Sequence, residues 1–144
     1  MSSTLIIPCA GKSTRFGTHK TKWMLTHPNG NLMLVESLRG LNVTQVSRLI
    51  ITVVQEHIEK SKIDLSVLAK KIEEVTGLVP EFCILPHFTS SQSDTVYQTL
   101  ITKNIQGPIF IKDCDNYFTT QVECKNAVCT STLKEGINAL NKSY

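Results

Sequence analysis

The stretch Leu5-Ile6-Ile7-Pro8-Cys9-Ala10-Gly11-Lys12-Ser13-Thr14-Arg15-Phe16-Gly17 runs from a short apolar segment straight into a small, polar, basic one. Consecutive apolar residues ending at a proline fit a strand buried on both faces, since a half-exposed strand would alternate. Such strands belong to parallel sheets covered by helices, and the rest of the chain repeats the theme. Arg48 to Val54 (RLIITVV), rich in β-branched residues, reads as a second buried strand, Glu81 to Leu85 as a third and Pro108 to Lys112 (PIFIK) as a fourth. Asn126 to Leu133 (NAVCTSTL) is a candidate fifth. Helical patterns lie between them. Leu65, Leu68, Ile72 and Val75 recur at helical spacing within Glu56 to Thr76, a stretch broken near Lys62 to Asp64 and stopped by Gly77. Ser91 or Ser93 caps a helix through Thr102 that places Val96 and Leu100 on one face. A shorter helix is expected from Val35 to Leu41, after a hairpin or folded excursion that turns at Asn29-Gly30. Strands alternating with crossovers of this length imply an α/β fold: a mostly parallel sheet flanked by helices. Ligands of such sheets sit at the carboxyl ends of the strands, where the strand order reverses. The polar loops after Ile7 and after Ile111 both leave strands at that end.

The chain has 144 residues, 41% of them hydrophobic and 19% charged, enough for one domain with a sizeable core. No run approaches the roughly 20 apolar residues of a bilayer span, and the start lacks the head and apolar stretch of a secretory signal. The expectation is a soluble, cytoplasmic protein. Five cysteines (Cys9, Cys83, Cys114, Cys124, Cys129), odd in number and without C-x-x-C, argue against a disulfide framework and a zinc knuckle. They read as reduced thiols, mostly in buried strands. The net charge of +3 is unevenly spread: Lys12, Arg15, Lys20 and Lys22 fall before the first carboxylate, Glu36. That segment carries +4 and the remainder −1. A concentrated cationic loop points to a small polyanion. A nucleic-acid surface would spread Lys and Arg over one face or interleave them with aromatics, so neither nucleic acid nor membrane is expected as a partner.

Three motifs carry chemistry. In the first, Ala10, Gly11, Lys12, Ser13 and Thr14 let backbone N–H groups approach phosphate oxygens, and Arg15 and Lys22 add charge-assisted bonds. The competing reading is a solvated basic loop. A P-loop fits less well, because Ile6 stands where the first glycine of G-x-x-x-x-G-K-[ST] belongs. In the second, Asp113 and Asp115, with Asn116, follow an apolar strand. Two carboxylates one residue apart suit a hard cation such as Mg²⁺, held by them together with phosphate oxygens. Alternation would point both to one side and Cys114 away; a plain Asp/Asn turn is the alternative. In the third, Ser91, Gln92 and Ser93 open a helix where a flat ligand can reach backbone groups and Gln92 can read a base edge. An ordinary serine N-cap explains the same residues. The histidines show no metal spacing, Trp23 is expected to pin the loop to the core, and Lys70-Lys71 to lie on a solvated helix face.

Together, Leu5 to Leu25, Ser91 to Val96 and Ile111 to Phe118 resemble, in order, the nucleotide-binding signature, base-side segment and metal-binding Asp motif of the sugar-phosphate nucleotidyltransferases. Ser13 and Thr21 stand where the family pattern has a second loop glycine and a proline. The resemblance implies a three-layer, Rossmann-like fold of the nucleotidyltransferase type, and transfer of a nucleotidyl group from an NTP, CTP or UTP favoured, to a phosphorylated acceptor such as a sugar 1-phosphate, with release of pyrophosphate. By position, Gly11 to Arg15 would hold the triphosphate, Lys22 the phosphate under attack, and Asp115 the Mg²⁺. It also implies that residues 1–144 are the nucleotide-binding part, with acceptor-binding residues further on. A glycosyltransferase that holds a nucleotide-sugar through Asp-x-Asp, and a non-catalytic nucleotide-binding domain, are the alternatives.

Overall fold

In a computed structural model, the residues described here are 3–12, 21–122, 126–128 and 130. Strand β1 (Ser3–Pro8) pairs in parallel with β3 (Val46–Val54), β3 with β4 (Pro80–Leu85), and β1 on its other side with β5 (Ile109–Ile111), giving the order β4-β3-β1-β5. A second, minimal parallel pair joins β2 (Leu41–Asn42) to β6 (Thr120–Gln121). The helices are α1 (Met33–Leu38), α2 (Gln55–Ser61), α3 (Leu65–Thr76) and α4 (Gln92–Thr102), with one 3₁₀ turn at Lys22–Met24. The architecture is α/β, a four-stranded parallel sheet flanked by helices, consistent with a Rossmann-like fold.

Strand alternation divides the core. Leu5, Ile7, Leu49, Ile51 and Val53 join Leu34, Leu38, Leu68 and Ile72 of α1 and α3, with Trp23, in the larger apolar cluster. Ile6, Ile50, Val54, Cys83 and Leu85 meet Val96 of α4 in a smaller one. The smaller face carries a polar contact at its centre: the buried Thr52 and Thr99 hydroxyls lie 2.5 Å apart. From β1 the chain moves outward to β3 and β4, then crosses back to lay β5 on the far side of β1. The strand order therefore reverses between β1 and β5, where open α/β sheets place their ligands.

Local signals hold well. Lys62 turns into the left-handed region at φ 53°, and the Asp64 carboxylate caps α3 by accepting from Ser66 N. Ser91 caps α4, accepting from Asp94 N at 3.1 Å. The Asn29-Gly30 turn, with Gly30 at φ 89°, closes a single antiparallel bridge between Thr26 and Leu32. Trp23 is buried in the larger cluster, and Lys70 and Lys71 are exposed.

Three expectations need correction. The first helix covers Met33–Leu38, and Leu41, expected at its end, pairs with Thr120 in β2 instead. Gly40 permits that pairing, since a Cβ there would collide with the Phe118 carbonyl. Residues 126–128 and 130 of the candidate fifth strand are irregular, and the rest of that segment lies outside the described residues. Of the three described cysteines only Cys83 is in a strand; Cys9 follows β1 and Cys114 sits in the loop after β5. Among the described residues, no helix is long and apolar enough to cross a membrane.

Candidate functional site at the β1–β5 switch point

Three loops converge at the carboxyl end of the sheet, each positioned by a backbone bond. Cys9 N donates to Thr52 O at 2.7 Å, which carries β1 past its last residue along β3. Thr89 N and its hydroxyl reach Ala10 O at 3.3 and 3.4 Å, tying the approach to α4 against the start of the basic loop. Lys112 N donates to Ile6 O at 3.1 Å, which holds the acidic loop beside β1.

Side chains then bridge the loops. Lys22, half-buried at the 3₁₀ turn, forms an ion pair with Asp115. Gln92, the first residue of α4, donates through Nε2 to the Asp113 carboxylate. Cys114 packs against the larger apolar cluster, to which the buried Cys9 belongs. Asp113 and Asp115 are thus engaged by different elements, Asp113 by α4 and Asp115 by the 3₁₀ turn. Ala10 is buried; Gly11 and Lys12 are exposed, and among the described residues nothing lies within 4 Å of a Cβ added at Gly11. Ser91 spends its side chain on the helix cap, and Ser93 is exposed. Ser13, Thr14 and Arg15 lie outside the described residues.

Sequence reasoning missed Lys112. It is 2% exposed, and its ammonium donates to Asp113 O at 2.9 Å, Asn116 O at 2.7 Å and Asn116 Oδ1 at 3.0 Å. It also stands 4.9 Å from the centroid of the Phe118 ring. A single buried cation thus closes the Asp113 to Asn116 turn from beneath. Burial pushes its pKa down to about 8, against the opposing pull of Asp113, Cys114 and Asp115. At neutral pH it therefore keeps its charge. The one sequence signal was a lysine ending an otherwise apolar strand.

Burial likewise raises the Cys9 thiol well above its ordinary range, with Cys114, Asp115 and Asp113 adding to the shift. On the flank, His57 of α2 is buried against Phe88, rings 5.1 Å apart in an edge-on contact. Its Nδ1 has no hydrogen-bond partner among the described residues. Burial lowers its pKa, Glu56 opposing and Lys60 adding slightly.

The donor set suits a hard divalent cation. Asp113 and Asp115 offer carboxylate oxygens, and the Lys22 ammonium already stands as a cation against Asp115. Among the described residues no three His, Cys, Asp or Glu side chains gather into a metal-binding group. A cation here would rest on one or two protein carboxylates and complete its shell from water or ligand oxygens, the usual habit of Mg²⁺. No protein-family model and no curated protein sequence matches the chain.

Proposed function

We propose that the chain is the nucleotide-binding part of a nucleotidyltransferase, with the three-layer fold of that type. It would bind an NTP, CTP or UTP favoured, with Mg²⁺, and move the nucleotidyl group to a phosphorylated acceptor such as a sugar 1-phosphate, releasing pyrophosphate. The observation that carries this reading is the Lys22–Asp115 pair. It joins a residue of the basic segment to a residue of the acidic loop at the switch point, which supports a reading in which one site would take both phosphate and metal.

The roles follow from charge and position. Backbone N–H groups from Ala10 to Thr14 would line the triphosphate, and Arg15 would neutralise its outer oxygens. Lys22 would leave Asp115 for the phosphate under attack and stabilise the charge that spreads over its oxygens. Asp115, with Asp113, would hold the Mg²⁺; the ion supplies positive charge to phosphate oxygens and orients them. Gln92 and the small residues Ser91 and Ser93 would face the base. The phosphorylated acceptor supplies the nucleophile, so the protein contributes alignment and electrostatics more than proton transfer.

A pyrophosphate-release screen tests the reading: four NTPs against a panel of phosphorylated sugars and amino alcohols, each with Mg²⁺. Release that depends on both NTP and acceptor supports transfer. Nucleotide binding without release with any acceptor favours a non-catalytic nucleotide-binding domain. Preference for a nucleotide-sugar over every NTP favours the glycosyltransferase alternative.

A further inference from the structure

We propose that His57 is a pH-sensitive latch on the loop after β4, residues 86–91: the neutral imidazole holds the loop against α2, and protonation releases it. Two successive contacts make the latch. The His57 ring meets the Phe88 ring edge-on, with centroids 5.1 Å apart and planes at 65°. Phe88 in turn packs against the smaller apolar cluster, which includes Ile6, Ala10 and Val54. The next residue, Thr89, donates to Ala10 O from both its backbone N–H and its hydroxyl, and that hydroxyl lies 2.6 Å from the Thr95 hydroxyl of α4. Helix α2 therefore grips the loop one residue before the loop grips the segment leaving β1.

The closed arrangement suits only the neutral ring. His57 is 9% exposed, and its Nδ1 has no hydrogen-bond partner among the described residues. An imidazolium carries an N–H on both nitrogens, so protonation in place leaves a buried charge with no acceptor at Nδ1. The charges nearby do not offset this. Glu56 favours the charged form and Lys60 opposes it, both from α2, and burial outweighs Glu56. From the loop, the one other titratable group is His87, which is exposed; Thr52, Val53 and Val54, the end of β3 that leads into α2, bring none. On α4, the Asp94 carboxylate is committed to Ser90 N and to Gln98. His27 is the contrast, an exposed ring whose Nδ1 accepts from Asn29 N at 3.3 Å. Once the loop swings off, water reaches the His57 ring and its pKa returns to the ordinary 6.5. Protons therefore favour the released state, and closure weakens as pH falls from 6.5 towards the lowered value. Thr89 then leaves Ala10 O, which frees the start of the basic loop; that this regulates nucleotide binding rests on the proposed function.

The test is a pH titration of the full chain by nuclear magnetic resonance, without nucleotide or metal. The His57 ring signal, assigned by its absence in His57→Gln, should titrate with a midpoint below 6.5. Over the same range the Thr89 amide, corrected for the intrinsic pH dependence of exchange, should lose at least about threefold of its protection. That loss should be local: Thr89 should exchange faster than Ile51 of β3 and respond little to dilute urea, whereas Ile51 reports global opening. In His57→Gln, and in His57→Phe should the first variant fail to fold, the pH dependence at Thr89 should disappear. A midpoint at or above 6.5, as a cation–π pair with Phe88 would produce, overturns the proposal. So does Thr89 protection that is independent of pH, that tracks Ile51 at every urea concentration, or that still falls with pH in a folded variant. Nucleotide takes no part in these measurements, so their failure is distinct from failure of the proposed function.

Discussion

The loop after β1 and the loop after β5 leave neighbouring strands at the same end of the sheet, yet they are held differently. The acidic loop is bound from within: the buried Lys112 ammonium satisfies two backbone carbonyls and the Asn116 side chain, and Gln92 and Lys22 engage its carboxylates from above. The basic loop begins with Ala10 fastened to Thr89, then opens at Gly11 and Lys12, which are exposed. Under the proposed function the contrast would be a division of labour. Carboxylates that hold a small ion need a fixed geometry, whereas groups that wrap a polyanion need room and accessible backbone N–H groups.

Removing the buried cation should break the contrast most severely. Lys112→Met leaves two carbonyls and an amide oxygen without their donor, and should cost about 3 kcal/mol in urea unfolding. Leaving the acidic loop as ordered as before, by amide hydrogen exchange, would show that its closure does not depend on Lys112. Next comes Gly40→Ala, whose Cβ would collide with the Phe118 carbonyl at the far end of that loop. About 2 kcal/mol is expected, typical of overpacking against backbone; an unchanged urea midpoint would mean the β2–β6 pair yields freely.

A smaller effect comes from pH. His57 is held below its ordinary value of 6.5 by burial, so the unfolded chain binds its proton more readily than the folded one. Stability present above pH 6.5 should therefore decline as pH falls through the lowered value, and His57→Phe should flatten that slope. The Glu36 window is separate. The Arg39 guanidinium, with Asn31 and Asn29, holds its carboxyl down to about 2, so its contribution is lost only as pH falls from about 4.5 towards 2. The smallest change is expected at Gly11→Ala. Among the described residues nothing lies within 4 Å of the added Cβ, so folding stability should move by less than about 0.5 kcal/mol. Loss of nucleotide affinity in that variant with an unchanged Tm would sharpen the comparison, separating a loop that holds shape from one that, under the proposed function, would admit the nucleotide.

Features written in nearby residues were legible. The left-handed Lys62, the Asp64 and Ser91 caps and the runs of β1, β3 and β4 depend on φ preference, side-chain capping and apolar continuity within a few positions. Features that depend on which strands become neighbours were not. Leu41 looked like the end of a helix because its partner Thr120 is far along the chain. Lys112 looked like the polar end of a strand, because nothing local shows that the next turn folds back over its ammonium. For the site, the residue types and their placement at strand ends were legible, whereas the partners that hold them, Gln92 on Asp113 and Lys22 on Asp115, were not.

The central claim is that the two loops form one site for a triphosphate and a divalent cation. Calorimetric titration of CTP and UTP into the chain, with Mg²⁺ and with the metal chelated, tests it most directly. The account predicts saturable binding of at least one of them that weakens on chelation, falls at least tenfold in Lys22→Met, and loses its Mg²⁺ dependence in Asp115→Asn. No heat of binding from CTP, UTP, ATP or GTP with Mg²⁺, or binding unchanged in both variants, would contradict it.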